Sequence, residues 1–469
     1  MCYNRCIKHF EVAPTMTTPP RWAWSLLLAV YLLFAFIFSI IQPLGRTPDE
    51  AAHVTYAKFL AQNHRLPIFD AMGGGEAGYE AQHPPLYYAA MAVVYGLTGF
   101  LAENWRWHAM RWATILLLGL PMFVICRRFF TEALSKRGPC ATADPDDHQT
   151  GCVVEESSTL AFIATASVML MPLTLLYTGY INPDGAAMVF GTLTLWLAWR
   201  QRLGEPDWRQ ALILGAVAGL GALCKVSAAP ALAVALLAHI RPRQGVGRGY
   251  RLAWSDLGLT LLAFAAVAGW WYARNWYLYR SPLVHTMGML GTGLEAALRY
   301  SFWHFAWLTW RETYLSTWVQ RGWFYAGIWN TLLYGIIVAM TAMAIIGLIR
   351  NKRLATRGGG EDATSVPLRT ALNFSGLLLA LVFVGHQWAY WTVDVEFNAG
   401  GRYILVAMMG LVLLLVTGVK CLTGRYSLPV LWGWVGSLVV MNLVSMLNIW
   451  YVLNPRFAPG WQIFNFPGS

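Results

Sequence analysis

The sequence contains few charged residues. Asp, Glu, Lys and Arg make up only 12% of its 469 residues, whereas apolar residues make up 57%. A soluble domain is roughly a quarter charged and just under half apolar. One soluble core could not bury this much apolar surface, so the composition predicts an all-α polytopic membrane protein. The 24 Trp and 21 Tyr residues suit the many interfacial turns of such a protein.

The sequence also lacks any run of stacked basic residues, although its net charge is +11. In the topology predicted below, 21 of the 34 Lys and Arg residues lie on the cytoplasmic side and 13 on the outer side. This distribution follows the positive-inside rule of membrane proteins. A surface for the phosphates of a nucleic acid is therefore not predicted.

Cysteines are few and form no framework. The seven show neither the spacing of a metal site nor that of a redox motif, so all are predicted to be free thiols. A cleaved secretory signal is not predicted either. The apolar stretch 24–41 is too long for a signal-peptide core, and no small-residue cleavage site follows it. We expect this stretch to remain as a membrane anchor.

Apolar stretches long enough to cross a bilayer recur along the chain. The stretch 211–240 is interrupted by Lys225, so we predict two short helices that meet near Cys224. The stretch 85–101 is predicted to lie in the outer interface, because another crossing would move the basic segment 127–137 to the outer side. The remaining predicted spans are 23–42, 109–126, 159–178, 185–200, 253–273, 326–349, 370–388, 403–419 and 428–450.

These spans give about eleven crossings, with a cytoplasmic N-terminus and an outer C-terminus. One transmembrane domain is predicted over residues 1–450, followed by a short outer tail over 451–469. Within the domain, the outer loop 43–108 is predicted to be catalytic and the outer segment 274–325 to be interfacial. The residues that could perform chemistry therefore face the outer side.

The first candidate cluster follows the first span directly, in the sequence RTPDEAAH. Pro48 stands where a helix would begin, which would place Asp49 and Glu50 in the first turn. Asp49 and His53 are four residues apart and would share one helix face. A carboxylate beside an imidazole can act as a general base or help to hold a divalent metal. The alternative is a capping pair on a surface helix.

Two further acidic turns are predicted on the same side. Glu80 and His83 come directly before a Pro-Pro pair, where they could line a site, ligate a metal or belong to a rigid turn. Asp184 begins a helix at the outer edge of the membrane, where a charge needs a purpose or a partner. Asn182 or Asp184 could instead serve as a helix N-cap.

Three cations, Lys225, Arg274 and Arg402, lie at the outer ends of predicted spans. Positive charge is normally enriched on the other side, so each should have an anionic partner. A lipid-linked phosphate would be one, while snorkelling or pairing with an acid of the protein is the alternative. The Trp-rich segment 300–324 suits an interfacial helix or a platform for a sugar ring.

Together these motifs resemble the GT-C superfamily of integral-membrane glycosyltransferases. The sequence looks most similar to the bacterial branch related to protein O-mannosyltransferases and lipid A aminoarabinose transferases. Members of the superfamily move a sugar from a polyprenyl-phosphate carrier to an acceptor on the outer face of the membrane. The resemblance covers about residues 20–420 and is carried by RTPDEAAHVTYAKFLAQNHRLP, YEAQHPPLYYAA, YINPDGAAMVF, LCKVSAAPAL and GRYILV.

The resemblance implies a role for several of the candidate residues. Asp49 matches the first-loop catalytic acid that deprotonates the acceptor, and Glu50 matches the second acid of that pair. Asp184 matches an acid that supports the site or a metal. Lys225 and Arg402 match basic residues that face the carrier phosphate. The predicted site comprises catalytic Asp49 and Glu50, supporting His53, His83 and Asp184, and phosphate-binding Lys225, Arg274 and Arg402.

The expected function is therefore that of an inverting glycosyltransferase in a bacterial inner membrane, with a polyprenyl-phosphate-linked sugar and membrane lipids as partners. No soluble domain is predicted that could grip a peptide, so lipid and glycan acceptors fit better than proteins, and no protein partner is implied. Asp49, His53, His83 and Asp184 could hold a divalent cation if the loop folds over the turn 179–184. The alternative function is a transporter or flippase for an anionic lipid or lipid-linked sugar, which a Lys in a broken helix would also suit.

Overall fold

The described part of the chain leaves several segments out. Cys2, Cys6, Cys140, the side chain of Cys152, and nearly all of the predicted tail lie outside it. Within it, Cys126, Cys224 and Cys421 are free thiols, as predicted. The computed structural model describes residues 19–70, 75–135, 149–242, 250–284, 301–318, 328–357, 366–393 and 400–453.

Helices dominate the structure because a backbone in an apolar environment must satisfy its own hydrogen bonds. The all-α class predicted from the composition is confirmed. The helices in the first half of the chain are α1 (Arg21–Ile41), α2 (Glu50–Asn63), α3 (Leu86–Leu97), α4 (Glu103–Thr114), α5 (Leu120–Leu134), α6 (Gln149–Met169), α7 (Pro172–Gly179), α8 (Pro183–Leu203) and α9 (Trp208–Cys224).

The second half continues in the same way, with one exception. A short antiparallel hairpin, β1 (Ile240–Pro242) paired with β2 (Tyr250–Leu252), was not predicted from the sequence. The helices that follow α9 are α10 (Ala231–Leu237), α11 (Trp254–Phe264), α12 (Trp270–Tyr279), α13 (Phe302–Trp318), α14 (Ile328–Arg357), α15 (Val366–Val393), α16 (Met408–Thr423) and α17 (Ser427–Asn448).

Six helical stretches of the described chain are long and apolar enough to cross a membrane, or seven if α6 and α7 form one span. The polytopic class is thus confirmed, while the count of about eleven crossings stays a prediction. The stretch predicted as the span 159–178 is divided into α6 and α7, which meet at an angle of 54°. Pro172 begins α7 because it has no N–H to continue the ladder of α6.

The predicted break near Cys224 is confirmed. Helix α9 ends at Cys224, Lys225 has extended backbone angles, and a short 3-10 turn over Val226–Ala228 leads to α10. The interruption brings the Lys225 ammonium to the junction of two helices, where it can meet an acid instead of lipid.

Helix α3 covers most of the stretch that was placed in the outer interface. Its 12 residues extend for about 18 Å, well short of the roughly 30 Å of a bilayer core. The length agrees with the prediction that this stretch does not cross the membrane.

Helices α14 and α16 pack closely through two glycines. A Cβ atom on Gly347 would collide with the Gly418 carbonyl, and one on Gly418 would collide with the Ala344 carbonyl. Small residues at such contacts let two helix backbones approach within the membrane.

Gly418→Ala should therefore destabilise the protein by about 1–3 kcal/mol, because the two helices must move apart to admit one methyl group. Gly433→Ala on α17 is the matched control, since no atom lies within 4 Å of the Cβ position there. Thermal unfolding in detergent would compare the two. Equal melting temperatures for both variants would contradict this account of the contact.

Candidate active site

The loop that follows α1 is anchored by a buried ion pair between Glu50 and Arg111. Both side chains are fully buried, and Arg111 donates from Nε to Glu50 Oε1 at 2.7 Å and from Nη2 to Oε2 at 2.6 Å. Glu50 also accepts from the Thr47 hydroxyl and from the backbone N–H groups of Gly45 and Ile181. Burial alone would raise the pKa of Glu50, but Arg111 and these donors hold it below its usual range.

The remaining N–H groups of Arg111 bind the end of α1. Nη1 donates to the carbonyls of Ser39 and Gln42, and Nη2 donates to that of Pro43. The guanidinium thus joins the last turn of α1 to the first turn of α2. Glu50 was predicted as a second catalytic acid, but its burial and its five donors suit the role of an anchor for the loop.

Asp49 lies at the end of this anchored loop. Helix α2 begins at Glu50, so Asp49 occupies the N-cap position. The sequence instead predicted Asp49 within the first turn of the helix. Its backbone is left-handed, with φ of 63°, and its side chain makes no capping hydrogen bond. Left-handed backbone at a non-glycine residue stores strain, which is concentrated at functional sites in proteins.

The strained backbone turns the Asp49 carboxylate towards Arg402 and Tyr79. Arg402 Nη1 donates to Asp49 Oδ2 at 2.8 Å, and the Tyr79 hydroxyl donates to Oδ1 at 3.0 Å. Burial would raise the pKa of Asp49, but the charge and hydrogen bond of Arg402 lower it. The lowered pKa keeps this carboxylate ionised at neutral pH. The Asp49 side chain is also 31% exposed, so it is accessible.

Arg402 is held in place by the packing of α13. The preceding residue, Gly401, donates its N–H to the Ser316 hydroxyl at 2.7 Å. A Cβ atom on Gly401 would collide with the backbone of Thr317. Helix α13 therefore fixes the start of the segment that carries Arg402, and part of the predicted segment 274–325 supports the site in this way.

His53 lies beneath Asp49 on α2 and is only 1% exposed. Its Nδ1 is 2.9 Å from the Tyr88 hydroxyl and 3.5 Å from Glu80 Oε2, while its Nε2 is 2.9 Å from Asn182 Nδ2. Burial lowers the pKa of His53 to about 4, so the ring is neutral at physiological pH.

Glu80 completes the cluster and is 3% exposed. Its Oε2 is 2.8 Å from His83 Nε2, yet it has no hydrogen-bond donor with suitable alignment among the described residues. Burial would raise the pKa of Glu80, but the neighbouring His53 and His83 rings lower it. A buried carboxylate oxygen without a donor is a place where a cation or a substrate hydroxyl would be accommodated.

The predicted cation site changes in its membership. Within the described residues, Asp49, His53 and Glu80 each offer one ligand atom, and these atoms lie within 4.8 Å of one another. His83 reaches this group through its contact with Glu80. Asp184 does not join it, because its Oδ2 lies 2.8 Å from Lys225 Nζ.

The predicted phosphate-binding cations are divided between two places. Lys225 is 4% exposed, paired with Asp184, and its Nζ lies 5.6 Å from the centre of the Tyr403 ring next to Arg402. Lys225 and Arg402 therefore flank one site. Arg274 lies apart from it, because its Nη2 donates to the Pro67 carbonyl and its guanidinium lies against the Trp271 ring.

Arg111 was not predicted as a site residue, although its position in the sequence gave a signal. Arg111 falls inside the predicted span 109–126, where a charge without a partner would be costly. Tyr88 was not singled out within the predicted interfacial stretch, and Asn182 was considered only as a helix cap. Their contacts with His53 join segments that are far apart in the chain, so local sequence patterns could not reveal them.

The fold was compared with those of known proteins. No protein-family model matches the sequence, and neither does any curated protein. The structure is similar to that of ArnT from Cupriavidus metallidurans bound to undecaprenyl phosphate, with a TM-score of 0.51 and 14% identity over 94% of this chain. The chain spans 66% of the length of that ArnT.

The chain has the GT-C fold. The resemblance seen in the sequence motifs is thus confirmed at the level of fold. An oligosaccharyltransferase from Archaeoglobus fulgidus also matches, with a TM-score of 0.46 and 12% identity over 92% of this chain and 56% of its own.

The buried ion pair should dominate the stability of this GT-C fold. Arg111→Leu leaves the Glu50 carboxylate buried without a counter-charge, which should cost about 3–5 kcal/mol. Arg65→Leu in the same loop is the control, because Arg65 and its partner Glu76 form a surface pair, with side chains 52% and 36% exposed, and its loss should change stability little. Unfolding in detergent would measure both, and a similar loss in the two variants would contradict the anchoring role.

His53 should make the stability depend on pH. Its folded pKa of about 4 is below the ordinary 6.5, so its contribution is complete above pH 6.5 and is lost as the pH falls towards 4. Over this window the wild type should lose up to about 3 kcal/mol more than His53→Gln. Melting temperatures between pH 7.5 and 4.5 would test this, with the exposed His64→Gln as control. The same pH dependence in wild type and His53→Gln would refute it.

Proposed function

We propose that this protein is an inverting glycosyltransferase that moves a sugar from a polyprenyl-phosphate carrier to an acceptor on the outer face of the membrane. The observation that carries the proposal is the accessible Asp49 carboxylate, held on a strained backbone beside Arg402 and above a buried His53 and Glu80. The similarly folded ArnT binds undecaprenyl phosphate, which supports a lipid-linked donor. A bacterial inner membrane is the proposed location.

In this reaction Asp49 acts as the general base. It removes the proton from the acceptor hydroxyl while the acceptor oxygen forms a bond to the anomeric carbon. The bond between that carbon and the phosphate oxygen breaks, and polyprenyl phosphate leaves with the electron pair. Attack opposite the leaving group inverts the anomeric centre. The lowered pKa of Asp49 keeps it ionised, and so able to accept the proton, at neutral pH.

Two cations are available for the leaving phosphate. Arg402 donates to Asp49 and to the Tyr403 hydroxyl, and Lys225 Nζ lies 5.6 Å from the centre of the Tyr403 ring. An Arg fork and a Lys ammonium both bind phosphate oxygens and would stabilise the charge that develops as the bond breaks. The Asp49 and Glu80 carboxylates would hold a divalent cation, which would supply further positive charge when bound.

An apolar groove next to the site suits the isoprenoid tail of the carrier. It has a volume of about 640 Å³ and lies between α2, α3, Leu223 of α9 and Trp270 of α12. Its lining includes Pro85, two residues after His83, and Leu223, two residues before Lys225. A tail in this groove would bring its phosphate towards the cations of the site.

Asp49→Asn tests the proposal. It should lower transfer from a polyprenyl-phosphate sugar by about 100-fold or more, because the amide cannot accept the acceptor proton. The variant should still co-purify with polyprenyl phosphate, detected by mass spectrometry of the extracted lipid. Asp70→Asn, which changes an exposed carboxylate of the same loop, should transfer as the wild type does.

Two results would count against the proposal. Full transfer by a folded Asp49→Asn variant would remove Asp49 from the role of base. Movement of a lipid-linked sugar across proteoliposomes without any covalent product would favour the transporter alternative.

A further inference from the structure

Asn182 connects the turn 179–184 to the interior of the site. It is completely buried, and its Oδ1 accepts from the Asp184 N–H at 2.7 Å, which caps the first turn of α8. Its backbone N–H donates to the Tyr87 hydroxyl at 2.9 Å, and its Nδ2 lies 2.9 Å from His53 Nε2. The side-chain oxygen, the side-chain NH₂ group and the backbone N–H of Asn182 each have a defined partner.

These contacts determine which way the amide faces. A backbone N–H can only donate, so the atom next to Asp184 N must be the amide oxygen. The NH₂ group must then face His53, where it can only donate. His53 Nε2 must therefore accept with its lone pair, which leaves the ring proton on Nδ1.

We infer that Asn182 is a positioning residue that fixes His53 in the Nδ1–H tautomer. The proton then points to the Tyr88 hydroxyl at 2.9 Å and towards Glu80 Oε2 at 3.5 Å. The opposite tautomer would place an N–H of His53 against an N–H of Asn182. Relief by rotation of the amide would remove the cap of α8.

The tautomer determines what His53 offers to the cluster of Asp49 and Glu80. The ring atom that faces Glu80 carries a proton, so it acts as a donor and has no lone pair for a cation. A histidine that ligates a metal usually gives its other N–H to an acceptor, whereas Asn182 presents a donor there. In the wild type, His53 Nδ1 therefore carries a proton. The Asn182 amide in this way prevents His53 Nδ1 from ligating a metal ion.

Asn182→Asp would reverse this setting with little change in size. Asp is also a good N-cap, so one oxygen can still accept from the Asp184 N–H while the other accepts from His53 Nε2–H. The Nδ1 lone pair would then face Glu80. We expect Co²⁺ to bind this variant at least about tenfold more tightly than the wild type, measured by titration of the purified full chain.

Two controls separate the tautomer from other effects. Asn182→Asp also adds a negative charge, so His53→Gln is combined with it, and the double variant should lose the gain in Co²⁺ affinity. Asn182→Ser keeps a cap without an N–H that could donate to His53, and should show no such gain. Melting temperatures would establish that each variant is folded.

The tautomer itself is measured by nitrogen NMR of protein labelled at histidine, with the His53 signals identified by their loss in His53→Gln. We expect the proton on Nδ1 in the wild type and on Nε2 in Asn182→Asp. A wild-type proton on Nε2, or a Co²⁺ affinity within twofold of the wild type in folded Asn182→Asp, would overturn the inference. Neither readout uses sugar transfer, so the inference and the proposed function can fail separately.

Discussion

The organisation of the site depends on the buried ion pair between Glu50 and Arg111. A charge this far from solvent is stable only when its partner is also buried and the remaining donors are satisfied. Arg111 meets that condition by using its other N–H groups on carbonyls at the end of α1. As a result, α1, α2, α4 and the turn at Ile181 are fixed around one ion pair, because the Ile181 N–H donates to the Glu50 carboxylate, and the backbone of Asp49 has little freedom left.

The three acid–base pairs around the site differ in exposure, and this difference assigns their roles. Glu50 with Arg111 is sealed, and Asp184 with Lys225 is nearly so. Asp49 with Arg402 is the open pair, since its side chains are 31% and 20% exposed. Of these three acids, Asp49 is the one that an acceptor could approach without dismantling the fold.

The fold class and the broad position of the site could be predicted from sequence because both depend on local patterns. Apolar length predicts spans, and Lys225 within an apolar stretch predicts a break. The partners of the site residues could not be predicted in this way. Asp184 was included in the predicted metal site and Glu80 was left out of it. Which of these two acids lies beside Asp49 and His53 depends on how two turns about a hundred residues apart in the chain approach each other.

The left-handed backbone of Asp49 could not be predicted from the sequence either. Proline is a common first residue of a helix, and Pro48 therefore favoured a helix start two residues too early. In the structure the start is set by Glu50, whose carboxylate is drawn to Arg111. The contact between Glu50 and Arg111 thus overrides the local preference of Pro48 for a helix start. Asp49 therefore lies outside the helix, at the N-cap position, with a strained left-handed backbone.

The sequence separations of these contacts imply an order of assembly. Glu50 and Arg111 are 61 residues apart, whereas Asp49 and Arg402 are 353 residues apart. A chain that enters the membrane from its N-terminus can therefore close the anchored loop while most of the protein is still unmade. The Asp49 carboxylate gains its guanidinium only once Arg402 has been made, so a chain terminated before that residue would carry the shape of the loop without the electrostatics of the complete site.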